Sequence, residues 1–261
     1  MNSDIKIEEI IKIAGCAREM AMNFYGGNYE VNQKQNKTPV TEADIAINNF
    51  LIKELSKYDY PILSEEVEDN FERRENADFF WIIDPLDGTS DFVRNTGEFS
   101  IMIGLVDNVG QSVLGVVFAP KLDEMYWAEK NKGAYLCQSG LDLKFHQKIQ
   151  VSKKSLKNGK ILTSRNHLGE YEQQIAKKYN MKQIPAGSAG LKICWIARGD
   201  AELYINSSDK SGLWDTCAAD IILSEAGGFI VDKNFNKIKY NTRETALSNG
   251  YIASNCKTNV L

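Results

Sequence analysis

The segment that decides the fold is Trp81-Ile82-Ile83-Asp84-Pro85-Leu86-Asp87-Gly88-Thr89. Bulky apolar residues at its start predict a β-strand over residues 79–83. We expect this strand to stop at Asp84, because Pro85 lacks the N–H group that a central strand needs. Gly88 permits a tight turn just beyond. Two carboxylates at the mouth of a strand are therefore expected to face one pocket.

The oxygen atoms of this turn suit a magnesium ion. Mg²⁺ prefers hard oxygen ligands in octahedral geometry and keeps waters and substrate phosphate in its shell. The carboxylates of Asp84 and Asp87 are ligands of this kind, and so are the carbonyl of Leu86 and the hydroxyl of Thr89. The alternative interpretation is an ordinary polar turn with Asp87 and the following glycine at its centre.

Three further acidic residues stand at boundaries between predicted elements. Glu65 follows a short apolar run, and Asp215 opens a long apolar helix. Asp44 comes three residues after Thr41, which predicts an approximate capping box. Each has a plain alternative: a solvated loop for Glu65, and helix capping for Asp44 and Asp215. Their conjunction with the turn described above favours one shared metal site.

Other catalytic chemistries lack the residues that they need. The chain has only two histidines, His146 and His167, and no GxSxG elbow, P-loop or recognisable catalytic cysteine. Nucleophilic catalysis by a side chain is therefore not expected. Attack on a phosphate ester by a metal-activated water is the reaction that these side chains can support.

Composition and charge exclude several classes of protein. The 261 residues are 43% hydrophobic and 25% charged, as in a typical globular protein. A formal net charge of −4 argues against a general nucleic-acid binder, which needs a basic face. No apolar run approaches the roughly 20 residues of a membrane span. Five widely spaced cysteines and an acidic N-terminus without a signal-peptide pattern predict a cytoplasmic protein, free or peripheral at the inner face of the membrane.

Apolar periodicity and turn residues predict an α/β protein. The predicted helices cover residues 5–24, 41–58, 169–179, 189–197 and 213–226. The predicted strands cover residues 61–63, 79–83, 99–106, 113–118, 124–128, 134–137, 160–163, 182–185, 201–205 and 229–231. The charged segment 67–78 is expected to be a solvated loop or helix. We divide the chain into an N-terminal α+β half (1–150) with most metal ligands and a C-terminal α/β half (151–261) with Asp215 and the specificity residues.

Several motifs together resemble the inositol monophosphatase superfamily. They are Asp84-Pro85-Leu86-Asp87-Gly88-Thr89, Ser64-Glu65-Glu66, Trp214-Asp215, Pro39-Val40-Thr41-Glu42-Ala43-Asp44, Gly97-Glu98-Phe99-Ser100 and Glu225-Ala226-Gly227-Gly228. The resemblance covers nearly the whole chain. It implies a layered α-β-α-β-α sandwich of the inositol monophosphatase and fructose bisphosphatase type. It also implies two or three Mg²⁺ ions per site and inhibition by lithium.

The resemblance implies which residues bind the metal ions. Glu65, Asp84 and the Leu86 carbonyl resemble the ligands of one ion. Asp84, Asp87 and Asp215 resemble the ligands of a second ion. Two ions a few Å apart can activate the water, neutralise the phosphate and stabilise the leaving oxygen.

The resemblance also implies catalytic roles around these ligands. Asp44 and Glu65 would hold a third ion or its waters. Thr89, and Thr41 together with Asp44, would orient or deprotonate the attacking water. Backbone N–H groups at Gly88 and Thr89 would meet the phosphate oxygens where a helix begins.

Within the superfamily, the chain most resembles the 3'(2'),5'-bisphosphate nucleotidases of the CysQ type. The matching positions are Ser164-Arg165-Asn166-His167, Gly187-Ser188-Ala189-Gly190-Leu191-Lys192, Tyr204 and Asn241-Thr242-Arg243-Glu244. The substrate contacts that this resemblance implies are Gly88, Thr89, Ser164, His167, Gly187, Ser188, Lys192, Tyr204 and Asp215. Arg165, His167 and Lys192 would offer cations to a second phosphate, and ordinary surface roles are the alternative for each. Ile205-Asn206-Ser207 departs from the branch, which often has a Pro-Arg pair after the tyrosine.

These features predict hydrolysis of the 3'-phosphate of adenosine 3',5'-bisphosphate to AMP and phosphate. The sulfated analogue is a second nucleotide that the same site would accept. Inositol 1-phosphate and sugar phosphates are the alternative substrates, and a catalytically silent binding protein is a further alternative. The expected partner is thus a small phosphorylated molecule and not a nucleic-acid polymer. The resemblance leaves a homodimer open.

Overall fold

The structure is a computed structural model that describes residues 5–27, 31–33, 39–138, 143–165 and 169–256. Its helices are α1 (Ile7–Phe24), α2 (Glu42–Leu55), α3 (Phe71–Glu75), α4 (Thr89–Val93), α5 (Glu170–Lys178), α6 (Ala189–Ala197) and α7 (Trp214–Glu225). Its strands are β1 (Val31–Gln33), β2 (Pro39–Thr41), β3 (Ile62–Ser64), β4 (Phe79–Asp87), β5 (Ser100–Asp107), β6 (Ser112–Ala119), β7 (Glu124–Glu129), β8 (Gly133–Cys137), β9 (His146–Ile149), β10 (Lys160–Ser164), β11 (Lys182–Ala186), β12 (Leu203–Asn206), β13 (Phe229–Asp232) and β14 (Tyr251–Ser254). Strands β1 and β2 pair with each other, and the others form two sheets.

The first sheet has seven strands in the order β3-β4-β5-β6-β7-β8-β9. Strand β3 runs parallel to β4, and each later pair is antiparallel. Helices α1 and α2 contact this sheet on one face, and α6 and α7 contact it on the other. Alternate residues of β5 serve the two faces, because Ile101 and Ile103 pack with α1 whereas Met102 packs with α6.

The second sheet has five strands in the order β11-β10-β12-β14-β13. Strand β10 runs parallel to β11 and β12, and the pairs that involve β14 are antiparallel. Leu162 and Tyr204 on one face share an apolar cluster with α6 and α7, while Ile161 and Leu203 pack with α5. The layers are therefore α1 and α2, the first sheet, α6 and α7, the second sheet, and α5. This α-β-α-β-α sandwich confirms the fold class predicted from the sequence.

Strand β4 extends further than the sequence predicts. It runs to Asp87 instead of stopping at Asp84, and its pairing with β5 shifts register between these two residues. Pro85 lies inside this irregularity, where the ladder is interrupted and the missing N–H is not needed. The expectation that proline ends the strand is therefore wrong.

The charged segment 67–78 is not solvated throughout, because it contains a buried arginine. Arg74 is 1% exposed, and its guanidinium forms an ion pair with Asp69 at 2.6 Å. It also donates hydrogen bonds to the carbonyls of Tyr240 (3.1 Å) and Thr242 (2.9 Å). Charge runs in sequence do not reveal such partners, since those carbonyls lie more than 160 residues further along the chain.

Four strands were not predicted, namely β1, β2, β9 and β14. Strand β9 is an edge strand in which His146, Gln147 and Lys148 are exposed, so it lacks the apolar alternation of a half-buried strand. Strand β14 has only four residues, too few to show a period. The two sheets come from opposite sides of residue 150, and the division into two halves stays a prediction.

Helix α7 lies against the backbone of the first sheet at a pair of glycines. Gly104 and Gly115 are cross-strand partners on β5 and β6. A Cβ atom at Gly115 would lie 2.1 Å from the carbonyl oxygen of Ala218, and one at Gly104 would lie 2.6 Å from the sulfur of Cys217. The absence of side chains here lets α7 approach the sheet closely and sets the position of its first residues.

Gly115→Ala is expected to destabilise the protein, because its methyl group meets the α7 backbone rather than a flexible side chain. Overpacking of this kind destabilises by about 1–3 kcal/mol, which corresponds to a fall in Tm of about 2–12 °C for a chain of this size. Thermal unfolding followed by circular dichroism measures the change. The double variant with Ala218→Gly should not recover, since the clash is with a carbonyl oxygen, and full recovery would contradict this explanation.

Candidate metal and phosphate site

Three carboxylates meet where β4 ends and α7 begins. Oxygen atoms of Asp84, Asp87 and Asp215 all lie within 4.8 Å of one another. Asp84 and Asp87 are 1% and 6% exposed, and Asp215 is partly exposed. The bulge in β4 supplies the first two, and the second residue of α7 supplies the third. The structure thus brings together three of the predicted metal-binding carboxylates, although Asp215 lies more than 120 residues after the other two in the sequence.

The electrostatics of this cluster suit a cation. Burial raises the pKa of Asp215 well above its ordinary value, and the negative charges of Asp87 and Glu65 raise it further. The N–H of Gly212 donates a hydrogen bond to Asp215 at 2.6 Å. This hydrogen bond and the positive charge of Lys192 both lower the pKa of Asp215 and so partly oppose the rise. Carboxylate oxygens this close together are hard ligands, so the residues present fit Mg²⁺.

Asp87 has a second role that the sequence did not reveal. Its carboxylate accepts hydrogen bonds from the backbone N–H groups of Ala189 (3.1 Å) and Gly190 (2.8 Å) in the first turn of α6. The hydroxyl of Ser188, the N-cap of α6, also donates to it at 2.5 Å. A carboxylate at a helix N-terminus is stabilised by the unpaired N–H groups and the helix dipole. Asp87 therefore couples the position of α6 to the metal site.

Thr89 and Asp44 form a hydrogen-bonded pair beside these carboxylates. The hydroxyl of Thr89 lies 3.1 Å from a carboxylate oxygen of Asp44 and 3.1 Å from the carbonyl of Leu86. The other Asp44 oxygen accepts from the N–H (2.8 Å) and the hydroxyl (2.5 Å) of Thr41, which confirms the predicted capping box. Burial raises the pKa of Asp44, while the hydrogen bonds from Thr41 and Thr89 oppose the rise. Asp44 thus caps α2 and also holds Thr89.

Most of the predicted site residues line a single cleft. These are Glu65, Asp84, Leu86, Asp87, Gly88, Thr89, Ser164, Gly187, Ser188, Lys192, Tyr204 and Asp215. Thr41 and Asp44 lie behind Thr89, outside this lining. Helix α4 begins at Thr89, where the sequence places a phosphate-binding turn. His167 lies outside the described residues.

Lys192 is a buried residue, so its alternative interpretation as a surface residue is wrong. It is 3% exposed, and its ammonium donates to the carbonyls of Ser188 (2.7 Å) and Gly187 (3.2 Å). It also lies 4.9 Å from the centre of the Tyr204 ring. Burial lowers the pKa of Lys192 to about 8, an effect that the negative charge of Asp87 opposes. Lys192 therefore holds the turn before α6 and brings positive charge to the cleft.

Arg165 is engaged by two carboxylates. Its guanidinium forms ion pairs with Asp91 and with Glu98, the latter at 2.7 Å. Glu98 also accepts a hydrogen bond from the N–H of Gly187 at 2.6 Å. This cluster ties the turn before α6 to the segment after α4, and the sequence interpretation of Arg165 as a substrate cation did not include these partners.

Several lining residues were missed by sequence reasoning. They are Ser90, Asp91, Ala186, Ala189, Asn206, Ser208, Lys210, Ser211 and Trp214. Three of these nine, Ser208, Lys210 and Ser211, lie in the connection between β12 and α7, which the sequence shows to be polar but without a motif. Lys210 is exposed, and no ion pair to its ammonium is formed within the described part of the chain. The length of the connection between β12 and α7 was the only feature of the sequence that could have indicated that this segment lines the cleft.

Comparisons with known proteins agree with this geometry. The family model described as "Inositol monophosphatase family" matches residues 4–260. The 3'(2'),5'-bisphosphate nucleotidase CysQ of Aggregatibacter actinomycetemcomitans is 35% identical over 94% of this chain and 91% of its own. That of Escherichia coli K12 is 32% identical over 95% of this chain and 99% of its own.

Solved structures of similar fold lead to the same family. CysQ from Bacteroides thetaiotaomicron superposes with a TM-score of 0.83 at 26% identity, covering 98% of this chain and 100% of its own. The IMPase of Thermotoga maritima superposes with a TM-score of 0.79 at 28% identity, covering 95% and 91%. No helix in the described residues is long and apolar enough to cross a membrane. With its fold, its acidic cluster and these matches, the chain belongs to the inositol monophosphatase family of metal-dependent phosphomonoesterases.

Proposed function

We propose that this protein hydrolyses the 3'-phosphate of adenosine 3',5'-bisphosphate to AMP and inorganic phosphate, with Mg²⁺ as its metal. The observation that carries the proposal is the charge of the cleft, whose lining contains both carboxylates and the lysines Lys192 and Lys210. We assign the carboxylates of the metal ligands to a metal-binding end and the two lysines to a lysine end. A substrate with two phosphates matches such a cleft, one phosphate at the metal-binding end and one at the lysine end. The CysQ relatives support the same choice.

The metal-binding end would be formed by Glu65, Asp84, Asp87, Asp215 and the Leu86 carbonyl. Two or three Mg²⁺ ions held there would supply positive charge to the phosphate and acidify a bound water. The mutual repulsion of the carboxylates favours such binding, because a cation offsets it. The N-terminus of α6 holds Asp87 in place, so the ligand set is organised before substrate arrives.

In this proposal, Thr89 and Asp44 would accept the proton of the attacking water. The Thr89 hydroxyl lies in the cleft and donates to Asp44, which leaves a lone pair on the threonine oxygen to accept from a water. A carboxylate whose pKa is raised by burial is a stronger base than an exposed one, and Asp44 is such a group. Thr41 fixes the orientation of Asp44 through two hydrogen bonds.

The lysine end would bind the 5'-phosphate. Lys210 is exposed at the rim of the cleft, whereas Arg165 is already held by Asp91 and Glu98. Lys192 adds positive charge from beneath the cleft floor, beside Tyr204. By resemblance, inositol phosphatases have a glutamate at the position of Tyr204, so this cleft lacks that acceptor for polyol hydroxyls. Inositol 1-phosphate is therefore the second candidate substrate.

Lys210→Met is expected to lower kcat/KM for adenosine 3',5'-bisphosphate by about tenfold, equivalent to ~1.4 kcal/mol for an exposed charged contact. Adenosine 3'-monophosphate lacks the 5'-phosphate and should be hydrolysed equally well by wild type and variant. Phosphate release measures both. Lys182→Met, an exposed lysine of β11 outside the cleft, is the matched control. Equal losses on both substrates would contradict the assignment of Lys210, and faster turnover of inositol 1-phosphate would overturn the nucleotide proposal.

Asp215→Asn tests the metal site through stability. In EDTA the variant should have a higher Tm than wild type at pH 7, because it removes a buried, repelled charge. The folded-state pKa of Asp215 lies above its ordinary value, so the folded state binds more protons and wild-type stability falls as pH rises above that ordinary value. The stability of the Asp215→Asn variant should fall less steeply than that of wild type as the pH rises.

Addition of Mg²⁺ should raise the Tm of wild type, since a ligand that binds only the folded state stabilises it. Asp215→Asn should show a smaller rise and a loss of phosphatase activity. Asp78→Asn, an exposed residue just before β4, is the matched control and should behave like wild type. Asp87→Asn is a poorer probe, because its amide would face the donors of α6. An unchanged Mg²⁺ response in Asp215→Asn would refute the ligand assignment.

A further inference from the structure

A second cavity lies along the C-terminal half of α7, whereas the phosphate cleft lies at the start of this helix. The second cavity has a volume of about 540 Å³, within the range of small-molecule pockets. We call it the α7–β13 pocket; its walls come from α7, from β13, from the start of β6 and from the segment 235–240. The lining shares no residue with the phosphate cleft.

The polar group on the α7 side of this pocket is Asp220. Its carboxylate accepts hydrogen bonds from the hydroxyls of Tyr240 (2.9 Å) and Ser224 (3.2 Å). Both partners are neutral, and no ion pair to Asp220 is formed within the described residues. Burial raises the pKa of Asp220 to about 6, and the charge of Lys237 only partly offsets this. The carboxylate therefore has remaining acceptor capacity and no direct counter-charge.

The other walls are mainly apolar. Ile221 and Ile230 are 5% and 4% exposed, and both line the pocket together with the partly exposed Ile238. Their side chains offer an apolar surface of the kind that packs against a ring or an alkyl chain. A ligand with only charged groups would leave this surface without a partner.

Ser112 does not provide a polar contact on the β6 side. Its hydroxyl oxygen is fully buried, and its hydrogen-bond partner is the thiol of Cys217. Asp220 is therefore the side chain that would bind a polar group of a ligand.

The rim charges do not neutralise Asp220. Lys130 is engaged by Asp107 at 3.6 Å and by the side chain of Gln111 at 3.0 Å. Glu225 accepts hydrogen bonds from backbone N–H groups of the turn between β7 and β8. Lys237 is exposed, so water solvates it. The uncompensated charge inside the pocket is negative.

We propose that the α7–β13 pocket binds a small organic cation, a primary ammonium attached to an apolar ring or chain. The ammonium donates to Asp220, and the apolar body packs against Ile221, Ile230 and Ile238. The pocket is a separate binding site on the same molecule, and it does not depend on which phosphate ester is hydrolysed. Since α7 carries Asp215 in its first turn and Asp220 in the middle, an occupant contacts the helix that sets one carboxylate of the metal site.

The test uses the full chain with Mg²⁺ present and phenethylamine as the probe, followed by ligand-observed NMR titration. The uncharged 2-phenylethanol has the same ring and chain and is the matched ligand control. We expect saturable binding of phenethylamine and binding of 2-phenylethanol at least tenfold weaker. Equal binding of the two probes, or no saturable binding of the amine, would overturn the proposal.

Two variants locate the probe. Asp220→Asn keeps the shape of the side chain and the hydrogen bond from Tyr240, and it should weaken phenethylamine binding at least tenfold. Ser224→Trp places a bulky ring at the exposed edge of the pocket and should also reduce binding. Thermal unfolding verifies that both variants are folded. Because the phosphate cleft is also acidic, binding that persists unchanged in both variants would assign the amine to that cleft and refute the second site, whatever the outcome of the phosphatase assays.

Discussion

The repulsion between three carboxylates within 4.8 Å of one another is the constraint on which the rest of the structure depends. Like charges at this distance, partly removed from water, destabilise the folded chain unless positive groups oppose them. Groups from distant elements of the fold oppose this repulsion. Asp87 is held by the first turn of α6, Asp215 by the N–H of Gly212, and Lys192 contributes a buried ammonium. The repulsion that is left favours the binding of a metal ion between these carboxylates.

The clustering of these carboxylates explains which parts of the site could be predicted from the sequence. Asp84, Asp87 and Asp215 each stand at the end of an apolar element, and elements of a layered sheet protein end at a common edge. That pattern is local, and together with the resemblance of the motifs to the family it was sufficient to predict the cluster. The capping role of Thr41 and Asp44 is equally local, since the partners are three positions apart in the sequence, and it was also predicted.

What the sequence could not provide is contact between remote segments. Asp87 and the α6 N-terminus are more than 100 residues apart, and no periodicity links them. The partners of Arg74 and Arg165 are similarly remote, which is why one was expected in solvent and the other at the substrate. Lys210 lies in a polar connection whose path depends on the elements at both its ends. The prediction at Pro85 was wrong for another reason. Proline is normally excluded from a strand interior because it cannot donate a hydrogen bond to the next strand, but at a bulge that hydrogen bond is not made.

The paired glycines beneath α7 have a consequence for sequence variation in this protein. At Gly104 and Gly115 the helix rests on main-chain atoms, and main-chain atoms have no rotamers to exchange. Elsewhere in the interior, a substitution of one apolar side chain can change the rotamers of its neighbours and so shift them. Where α7 contacts the two glycines, there are no side chains on the sheet that could pass such a shift to the helix. The position of the carboxylate in the first turn of α7 should therefore change little when residues of the surrounding hydrophobic core are substituted. The same two positions should consequently tolerate almost no replacement, even while the residues around them diverge.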